Sequence, residues 1–365
     1  MKQTWDKSLL MSILALIGIG LVQVYSSSYI LATERFDDPF YFIRKQLLFS
    51  IFGILSIFIG MSIPWHKIEK NALLIWISAT ILILLTYVPG IGVKVGGAQR
   101  WINIGFGFRL EASELLKISF PLFFAWYAKK YRDFSINHHI IAILFFIGPL
   151  LMLLKQPDFG SCLLIVLVAV SLLFVSGLHL KYFAGLTAIL LPTFYFLVMQ
   201  VPYRRARVLA FLNPWKESED GGFQLLQSLL SFKSGGLFGE GLGLSQGKLY
   251  FLPEAHTDFI LSVFAEETGF IGFFLLLILY GFVIVRGFKI ASQTEDAFSK
   301  WVALGVILIF TYSVLINVGV VLGMLPTKGL TLPLVSYGGT SLIAFCFAFG
   351  ILLNINRHQT YQKQI

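Results

Sequence analysis

Long apolar runs separated by short polar segments make up this chain from end to end. A helix needs about 20 consecutive apolar residues to cross a bilayer, and continuous apolar runs favour helices over the alternating strands of a barrel. The pattern predicts an all-α polytopic membrane protein, one domain over residues 1–365. The predicted spans, about ten in number, are 8–30, 46–63, 71–88, 113–128, 139–154, 159–177, 180–201, 258–285, 301–325 and 334–354.

Two polar segments, 89–112 and 202–257, are much longer than the other connections. An even number of spans puts both termini on one side, which we expect to be the cytoplasm. Basic residues are nearly balanced between the two sides, and the N-terminal side is enriched only when the two long segments are left out of the comparison. On this interpretation both long segments lie outside, where an anionic ligand would explain their basic residues.

Composition narrows the class of protein further. The chain is 57% hydrophobic and 13% charged, with a mean hydropathy of +0.80, which excludes a soluble globular domain. The net charge of +9 is scattered among loops, so an anionic lipid or lipid-linked substrate is favoured over nucleic acid. Cys162 and Cys346 fall in apolar spans, so they predict packed side chains and neither a disulfide nor a metal framework.

The most informative stretch is the junction where the second long segment meets the eighth span. Pro253 cannot lie inside a helix, and Thr257 is predicted as the N-cap of the helix that follows. Asp258 would then lie in the first turn, where free N–H groups and the positive end of the helix dipole favour an ionised carboxylate. Asp258 is the candidate catalytic residue; the alternative is that it only caps the helix.

Glu266 and Glu267 follow within the same predicted span. A carboxylate in a span is costly, so we expect both to face protein or water rather than lipid, with Glu266 about 12 Å deeper than Asp258. They either hold neighbouring helices together or take part in chemistry. The sequence favours neither interpretation.

Other candidate ligand-binding residues lie in the first long segment and at the start of the fourth span. Arg100 and Trp101 place a forked cation beside a flat ring, which suits a phosphate-plus-sugar ligand, although Trp101 also suits a membrane-interface belt. Glu114 and Lys117 lie one helical turn apart, so they form either an intrahelical ion pair or one wall of a polar cavity. Asp158 either caps a helix or contacts the ligand.

Segment 202–257 has too few apolar residues for a core of its own, so we interpret it as a substrate platform on the membrane. The segment 325–340, interrupted by proline and glycine, leads into the last span, and Lys328 there would meet phosphate or the interface. The remaining candidate substrate-binding residues are Arg204, Arg207, Gln224, Glu254 and His256.

Eight short motifs, in this order along the chain, carry a resemblance to a known family. They are Gln99–Trp101, Ser113–Leu115, Gln156–Asp158, Gly235–Gly239, Pro253–Phe259, Ala265–Glu267, Leu325–Gly329 and Ser336–Gly339. Together they resemble the SEDS proteins, which act in bacterial cell shape, division and sporulation. The stretch around Glu254 and the run 325–333 resemble FtsW more than RodA. Departures include Glu111-Ala112, where Gln-Pro is usual, and Phe223, where Tyr is usual.

The resemblance implies a ten-helix fold and a peptidoglycan glycosyltransferase that polymerises lipid II outside the cytoplasmic membrane, at the division septum for the FtsW type. It implies a class B penicillin-binding protein as partner, alongside other divisome membrane proteins and the growing lipid-linked glycan. The catalytic aspartate of the family falls on Asp258, its Arg-Trp pair on Arg100 and Trp101, and its last-loop lysine on Lys328.

The expected chemistry is general-base catalysis by Asp258 on a sugar hydroxyl, with basic side chains or a divalent cation, Mg²⁺ or Mn²⁺, stabilising a pyrophosphate leaving group. No organic cofactor is expected. One alternative is a lipid II flippase with Glu114, Glu266 and Glu267 as a polar relay, although no internal repeat supports a transporter. The others are a RodA-like elongation enzyme and a scaffold that only recruits partners.

Overall fold

A computed structural model describes residues 5–95, 97–105, 108–130, 136–177, 180–215, 221–248, 252, 254–327 and 329–362. The helices are α1 (Lys7–Phe36), α2 (Tyr41–Ser62), α3 (Trp65–Leu85), α4 (Ala112–Lys130), α5 (Ile136–Lys155), α6 (Phe159–Val175), α7 (Leu180–Met199), α8 (Pro202–Leu212), α9 (Gly221–Gly235), α10 (Ile260–Gln293), α11 (Ala297–Val321) and α12 (Gly339–Gln362). The strands are β1 (Gly92–Val95), β2 (Ala98–Gly105) and β3 (Phe108–Glu111).

The all-α membrane architecture predicted from the apolar runs is confirmed. Each of the ten predicted spans coincides with one long helix, and the short helices α8 and α9 lie in the long segment between the seventh and eighth predicted spans. Within the described residues, six helices are long and apolar enough to cross a membrane: α1, α2, α3, α10, α11 and α12. The count of ten spans stays a prediction.

Helices α11 and α12 form the centre of the bundle, and both are buried along most of their apolar length. Small residues let their neighbours approach closely, as is typical of helices packed in membranes. A Cβ on Gly60 of α2 would lie 2.8 Å from the carbonyl of Phe347 on α12, and one on Gly305 of α11 would lie 2.7 Å from Pro121 on α4. These contacts fix the scaffold on which the two long polar segments lie.

Helix α10 is not the continuous helix that the sequence predicted over 258–285. Gly269 has φ 68° and ψ −172°, a conformation outside the helical region, and it divides α10 into the pieces 260–268 and 270–293. Glu266 therefore belongs to a short first piece instead of lying further along one straight span. The break leaves backbone groups without helical partners, and a glycine-rich loop bonds to them.

A small antiparallel sheet in the order β1-β2-β3 occupies the first long segment, which was predicted only as a loop. Trp101 at the centre of β2 lies opposite Val93 on one side and Glu111 on the other. Because β3 runs directly into α4, the sheet holds Arg100 and Trp101 at a fixed position beside the start of that helix.

Candidate active site

The turn that carries Asp258 is built on Glu254. Glu254 has a φ of 57°, and its carbonyl accepts hydrogen bonds from the backbone N–H groups of Thr257 (3.1 Å) and Phe259 (3.3 Å). Helix α10 begins only at Ile260, with Phe259 as an N-cap that makes no side-chain capping bond. The predicted N-cap role of Thr257 is therefore wrong, and Asp258 lies before the helix instead of in its first turn.

A buried amide fixes the backbone at Asp258. The side chain of Asn317, on α11, is 2% exposed, and its Nδ2 donates to the carbonyls of Asp258 (2.9 Å) and Leu330 (2.8 Å). Asn317 thus ties the turn to the segment before α12. Asn317 was not among the residues predicted from the sequence, although a lone amide inside an apolar span is the kind of signal that marks a functional position.

The segment before α12 runs alongside the turn. The hydroxyl of Ser336 donates to the carbonyl of Thr257 (2.6 Å), and the N–H of Tyr337 donates to the carbonyl of His256 (3.0 Å). A Cβ added to Gly329 would lie 3.2 Å from Oδ2 of Asp258, so the backbone passes directly beside the carboxylate. The predicted ligand residue Lys328 lies outside the described residues.

The Asp258 carboxyl is partly buried, and nearby charges of both signs act on its pKa. Its pKa is raised to about 7: burial is the largest cause, the charge of Glu254 adds to it, and the charges of Arg207 and Arg100 oppose the rise. Among the described residues, its side-chain oxygens accept no hydrogen bond. The expectation that the first turn of the helix favours the ionised carboxylate is therefore wrong, because α10 begins only at Ile260 and burial instead favours the protonated form.

The turn between α5 and α6 holds Arg100. Its Nε donates to the carbonyl of Gln156 (3.3 Å), one terminal nitrogen donates to the carbonyl of Pro157 (2.5 Å), and the other lies 3.8 Å from Oδ1 of Asp158. The Asp158 side chain also accepts from the N–H of Ser161 (3.3 Å) and caps α6. The capping interpretation of Asp158 is confirmed; contact with a ligand stays a prediction.

A second charged group lies at the start of α4. Lys117 Nζ is 2.6 Å from Glu114 Oε1, and both residues are at most 5% exposed, so the intrahelical ion pair is confirmed. Burial, then Glu114 and Asp158, raise the pKa of Glu111 to about 8, against the opposing charges of Lys117 and Arg100. Arg100 acts on both Glu111 and Asp258, so it links the two carboxylate groups.

Helix α8 brings one arginine to the site and directs another elsewhere. The Nη1 of Arg207 donates to the carbonyl of Thr327 (3.1 Å), in the segment that passes Asp258. Arg204 instead donates to the carbonyl of Leu197 (2.8 Å) and lies over the ring of Phe159. Of these two predicted ligand residues, Arg207 is the one that the structure brings towards Asp258.

Comparison with known proteins shows which family the chain belongs to. The sequence model of the family FTSW_RODA_SPOVE, described as "Cell cycle protein", matches residues 7–361. The chain belongs to this family. It is 42% identical to the "Probable peptidoglycan glycosyltransferase FtsW" of Geobacter metallireducens, over 97% of this chain and 95% of the relative. It is 37% identical to "Stage V sporulation protein E" of Bacillus subtilis, over 99% of both chains.

A solved structure supports the same assignment. The chain matches one described as "Structural coordination of polymerization and crosslinking by a peptidoglycan synthase complex", with a TM-score of 0.78 and 27% identity over 98% of both chains. The SEDS resemblance carried by the short motifs is thereby confirmed along the whole chain.

Of the other predicted ligand residues of this SEDS chain, Glu254 and His256 belong to the turn and Gln224 lies on α9. The ring of His256 lies between those of Phe42 and Tyr337, with ring centroids 4.8 and 5.7 Å away, and burial lowers its pKa. Glu254 is exposed. Gln224 is partly buried on α9, one turn before Ser228, which reaches α10 and α11. Direct ligand contact by any of them stays a prediction.

Metal binding was the remaining expectation for the site. Within the part of the chain that the structure describes, no group of three or more His, Cys, Asp or Glu side chains could hold a metal ion. The residues present do not form a protein cage for Mg²⁺ or Mn²⁺, which prefer several oxygen ligands. The divalent cation therefore stays a prediction.

Proposed function

We propose that this SEDS protein is a peptidoglycan glycosyltransferase that polymerises lipid II into glycan strands at the outer face of the cytoplasmic membrane, for septal cell-wall synthesis. The observation that carries the proposal is Asp258: a partly buried carboxyl without a side-chain hydrogen bond among the described residues, with a pKa of about 7 and two arginines acting on it. The glycosyltransferase name of the 42% identical relative supports the reaction class.

Asp258 is the general base of the proposed reaction. A base is most effective when its pKa lies near the working pH, and about 7 meets that condition. The carboxylate takes the proton of the 4-hydroxyl on the incoming lipid II, while that oxygen forms a bond to the anomeric carbon of the growing chain. The bond from that carbon to the pyrophosphate breaks, and the polyprenyl pyrophosphate leaves with the electron pair. One displacement inverts an α linkage to β and needs no covalent intermediate.

Arg100 and Arg207 are suited to the departing pyrophosphate because guanidinium groups match phosphate oxygens in charge and geometry. Three acceptors in the 156–158 turn orient Arg100 before any substrate arrives, so little reorganisation is needed during the reaction. Lys117 is already paired with Glu114. We assign Lys117 to the support of the site and retain Lys328 as a further candidate contact for phosphate.

The cellular setting follows from the same family. The chain is a multi-pass membrane protein, and we propose that both termini are cytoplasmic and that the protein works at the division septum. A solved structure of similar fold belongs to a peptidoglycan synthase complex that coordinates polymerisation with crosslinking. We therefore propose a crosslinking partner for this chain, a class B penicillin-binding protein, together with other divisome membrane proteins.

Purified protein in liposomes with purified lipid II tests the reaction. We expect Asp258→Asn, which keeps the shape of the side chain but removes the base, to lower the rate of glycan formation by about 10²–10⁴-fold. Glu34→Gln, an exposed carboxylate on α1, is the matched control and should polymerise at the wild-type rate. A folded Asp258→Asn protein with wild-type activity would refute the assignment.

The same liposomes separate the flippase alternative. Of its proposed relay, Glu266 and Glu267 are occupied by hydrogen bonds to other parts of the chain, and Glu114 is paired with Lys117, which supports the enzyme over a transporter. If lipid II placed in one leaflet moved across the bilayer without any glycan product, the transporter would replace the glycosyltransferase. Glycan product without movement supports the enzyme.

A further inference from the structure

The loop between α9 and the Asp258 turn is bonded to the break in α10. We call residues 235–244 the glycine loop. Its backbone donates to the carbonyls that the break leaves free, and its own carbonyls accept from the first N–H groups after the break. The four bonds are Glu240 N to Glu266 O (3.0 Å), Gly241 N to Glu267 O (3.1 Å), Phe270 N to Gly236 O (2.8 Å) and Ile271 N to Leu237 O (3.2 Å).

The backbones of the glycine loop and of α10 touch at Gly239 and Gly269, which leaves no room for a side chain at either residue. Gly239 has a φ of 80°, and a Cβ there would lie 2.2 Å from the carbonyl oxygen of Glu267. A Cβ on Gly269 would lie 2.3 Å from the backbone nitrogen of Gly239. Both sites need glycine because any side chain would force the two segments apart. The glycine loop is therefore docked on α10.

The residues after the glycine loop are anchored as well. Three donors surround the Glu266 carboxylate, and Lys248 Nζ lies 3.0 Å from Glu267 Oε1. The three are Ser245 Oγ (2.7 Å), Gln246 N (2.8 Å) and Gly247 N (3.3 Å). Backbone bonds at the loop and side-chain bonds after it thus hold the segment against the first piece of α10.

This fixed loop nevertheless exposes large apolar side chains. Leu237 is 62% exposed, Phe238 80%, Leu242 65% and Leu244 65%. Exposing apolar surface to water costs about 25 cal/mol per Å², and clustered exposure of this kind marks a contact with another apolar phase. The loop carries one acidic residue, Glu240, which is also exposed.

The place where the glycine loop is bonded to α10 indicates that the apolar phase it contacts is lipid. Exposed apolar residues follow one face of the second piece from Phe270 to Val285, on a helix that is long and apolar enough to cross a membrane. The face ends at Arg286, which pairs with Asp6 at 2.5 Å. Phe270 lies about 24 Å above Arg286 along the helix axis, within a hydrocarbon layer about 30 Å thick. The glycine loop is bonded at that level and continues the same apolar face.

We propose that the glycine loop is a re-entrant loop whose Leu237, Phe238, Leu242 and Leu244 side chains insert among lipid acyl chains of the leaflet on the Asp258 side. Glu240 places it at the edge of the hydrocarbon, where a carboxylate reaches the headgroup region. The lipid layer holds the loop on the break in α10 and so keeps the piece 260–268 in place behind the Asp258 turn. This inference does not depend on the reaction proposed above.

Site-specific fluorescence quenching in lipid nanodiscs tests the insertion. The two native cysteines are buried, so Cys162→Ala with Cys346→Ala gives a background for single labels. Phe238→Cys carries an environment-sensitive dye, and quenching by nitroxides on lipid acyl chains is compared with quenching by aqueous iodide. Phe274→Cys, on the exposed apolar face of α10, is the lipid control, and Glu295→Cys, exposed between α10 and α11, is the water control.

We expect the ratio of nitroxide to iodide quenching at Phe238→Cys to lie several-fold above that of Glu295→Cys and close to that of Phe274→Cys. Leu242→Cys should give the same result from the other side of the loop. Ratios at both loop positions that match the water control would overturn the proposal. Each labelled variant is first shown to be monodisperse and to melt within a few degrees of the background protein, so the ratio reports a folded chain.

Discussion

The carboxylates of Glu266 and Glu267 are hydrogen-bonded within the protein, whereas that of Asp258, less than ten residues away, has no such partners among the described residues. Glu266 accepts three hydrogen bonds from residues 245–247, and Glu267 accepts from Gln23, Ser26 and Lys248. Asp258 accepts none at its side chain among the described residues, and burial raises its pKa to about 7. A carboxylate with all its bonds made holds structure together, whereas a buried one without them is available to a substrate.

The difference also settles which interpretation of Glu266 and Glu267 the structure favours. A buried charge is tolerated when it is paired and hydrogen-bonded. Glu267 is paired with Lys248, and Glu266 accepts hydrogen bonds from residues 245–247. Together they connect α1, the segment 245–248 and the first piece of α10. They are positioned to keep the Asp258 turn in place. Of the three, only Asp258 has side-chain oxygens that accept no hydrogen bond from the described residues.

The largest expected effect tests the structural half of this comparison. Glu267→Ala leaves Lys248 buried and unpaired, so we expect a loss of about 3–5 kcal/mol in the free energy of unfolding, seen as a lower melting temperature in detergent. A double variant, Glu267→Leu with Lys248→Met, removes both charges and should be more stable than the single variant. Normal melting of Glu267→Ala with loss of activity would instead assign Glu267 to the chemistry.

The pH dependence of the polymerisation rate tests the role of Asp258 as a base. Only the ionised Asp258 accepts a proton, so polymerisation should fall as pH drops below about 7, by roughly 50-fold between pH 7 and pH 5. The residual rate of Asp258→Asn should not show this fall. Since the fold raises this pKa, stability decreases as pH rises towards 7, and Asp258→Asn should melt higher than wild type at pH 8. A wild-type rate that is flat from pH 5 to pH 7 would contradict the assignment.

Asp158 tests whether a carboxylate can serve the site through a neighbour. Asp158→Asn keeps the cap on α6 but removes the charge facing Arg100, and we expect polymerisation to fall about tenfold, mainly through KM. If Asp158 acts by positioning Arg100, the substitution has no further effect in an Arg100→Ala background. Independent, multiplying effects of the two substitutions would mean that Asp158 contacts the substrate directly.

The sequence predicted the parts of this molecule that depend on local signals. Apolar run length located ten long helices, short motifs pointed to Asp258 and Arg100, and Arg207 was a candidate in the basic second long segment. The break at Gly269 was not predicted, because a lone glycine is tolerated in a helix and only the distant glycine loop makes the break stable.

The start of α10 and two side-chain contacts of the site could not be predicted from the sequence, because they depend on an unusual backbone conformation and on tertiary contacts. The Glu254 turn, with its φ of 57°, delays the helix beyond Thr257, and propensity gave no sign of it. Asn317 was missed because its two acceptors, the carbonyls of Asp258 and Leu330, come together only in the fold. Pairing of Arg100 with the 156–158 turn is likewise a tertiary contact, although both halves were visible as motifs.

Substitution of Glu111 has the smallest expected effect on activity, because this carboxyl is protonated rather than hydrogen-bonded as an anion or available as a base. With a pKa of about 8, raised by burial and by Glu114 and Asp158, Glu111 is mostly protonated at pH 7. Glu111→Gln is then close to isosteric, and we expect less than a twofold change in polymerisation at that pH. The raised pKa means that stability is lost as pH rises towards and past 8, so the variant should gain about 1 kcal/mol over wild type between pH 7 and pH 9, measured by melting. A tenfold loss of activity at pH 7 would show that Glu111 works in its ionised form, and would extend the reactive group beyond Asp258.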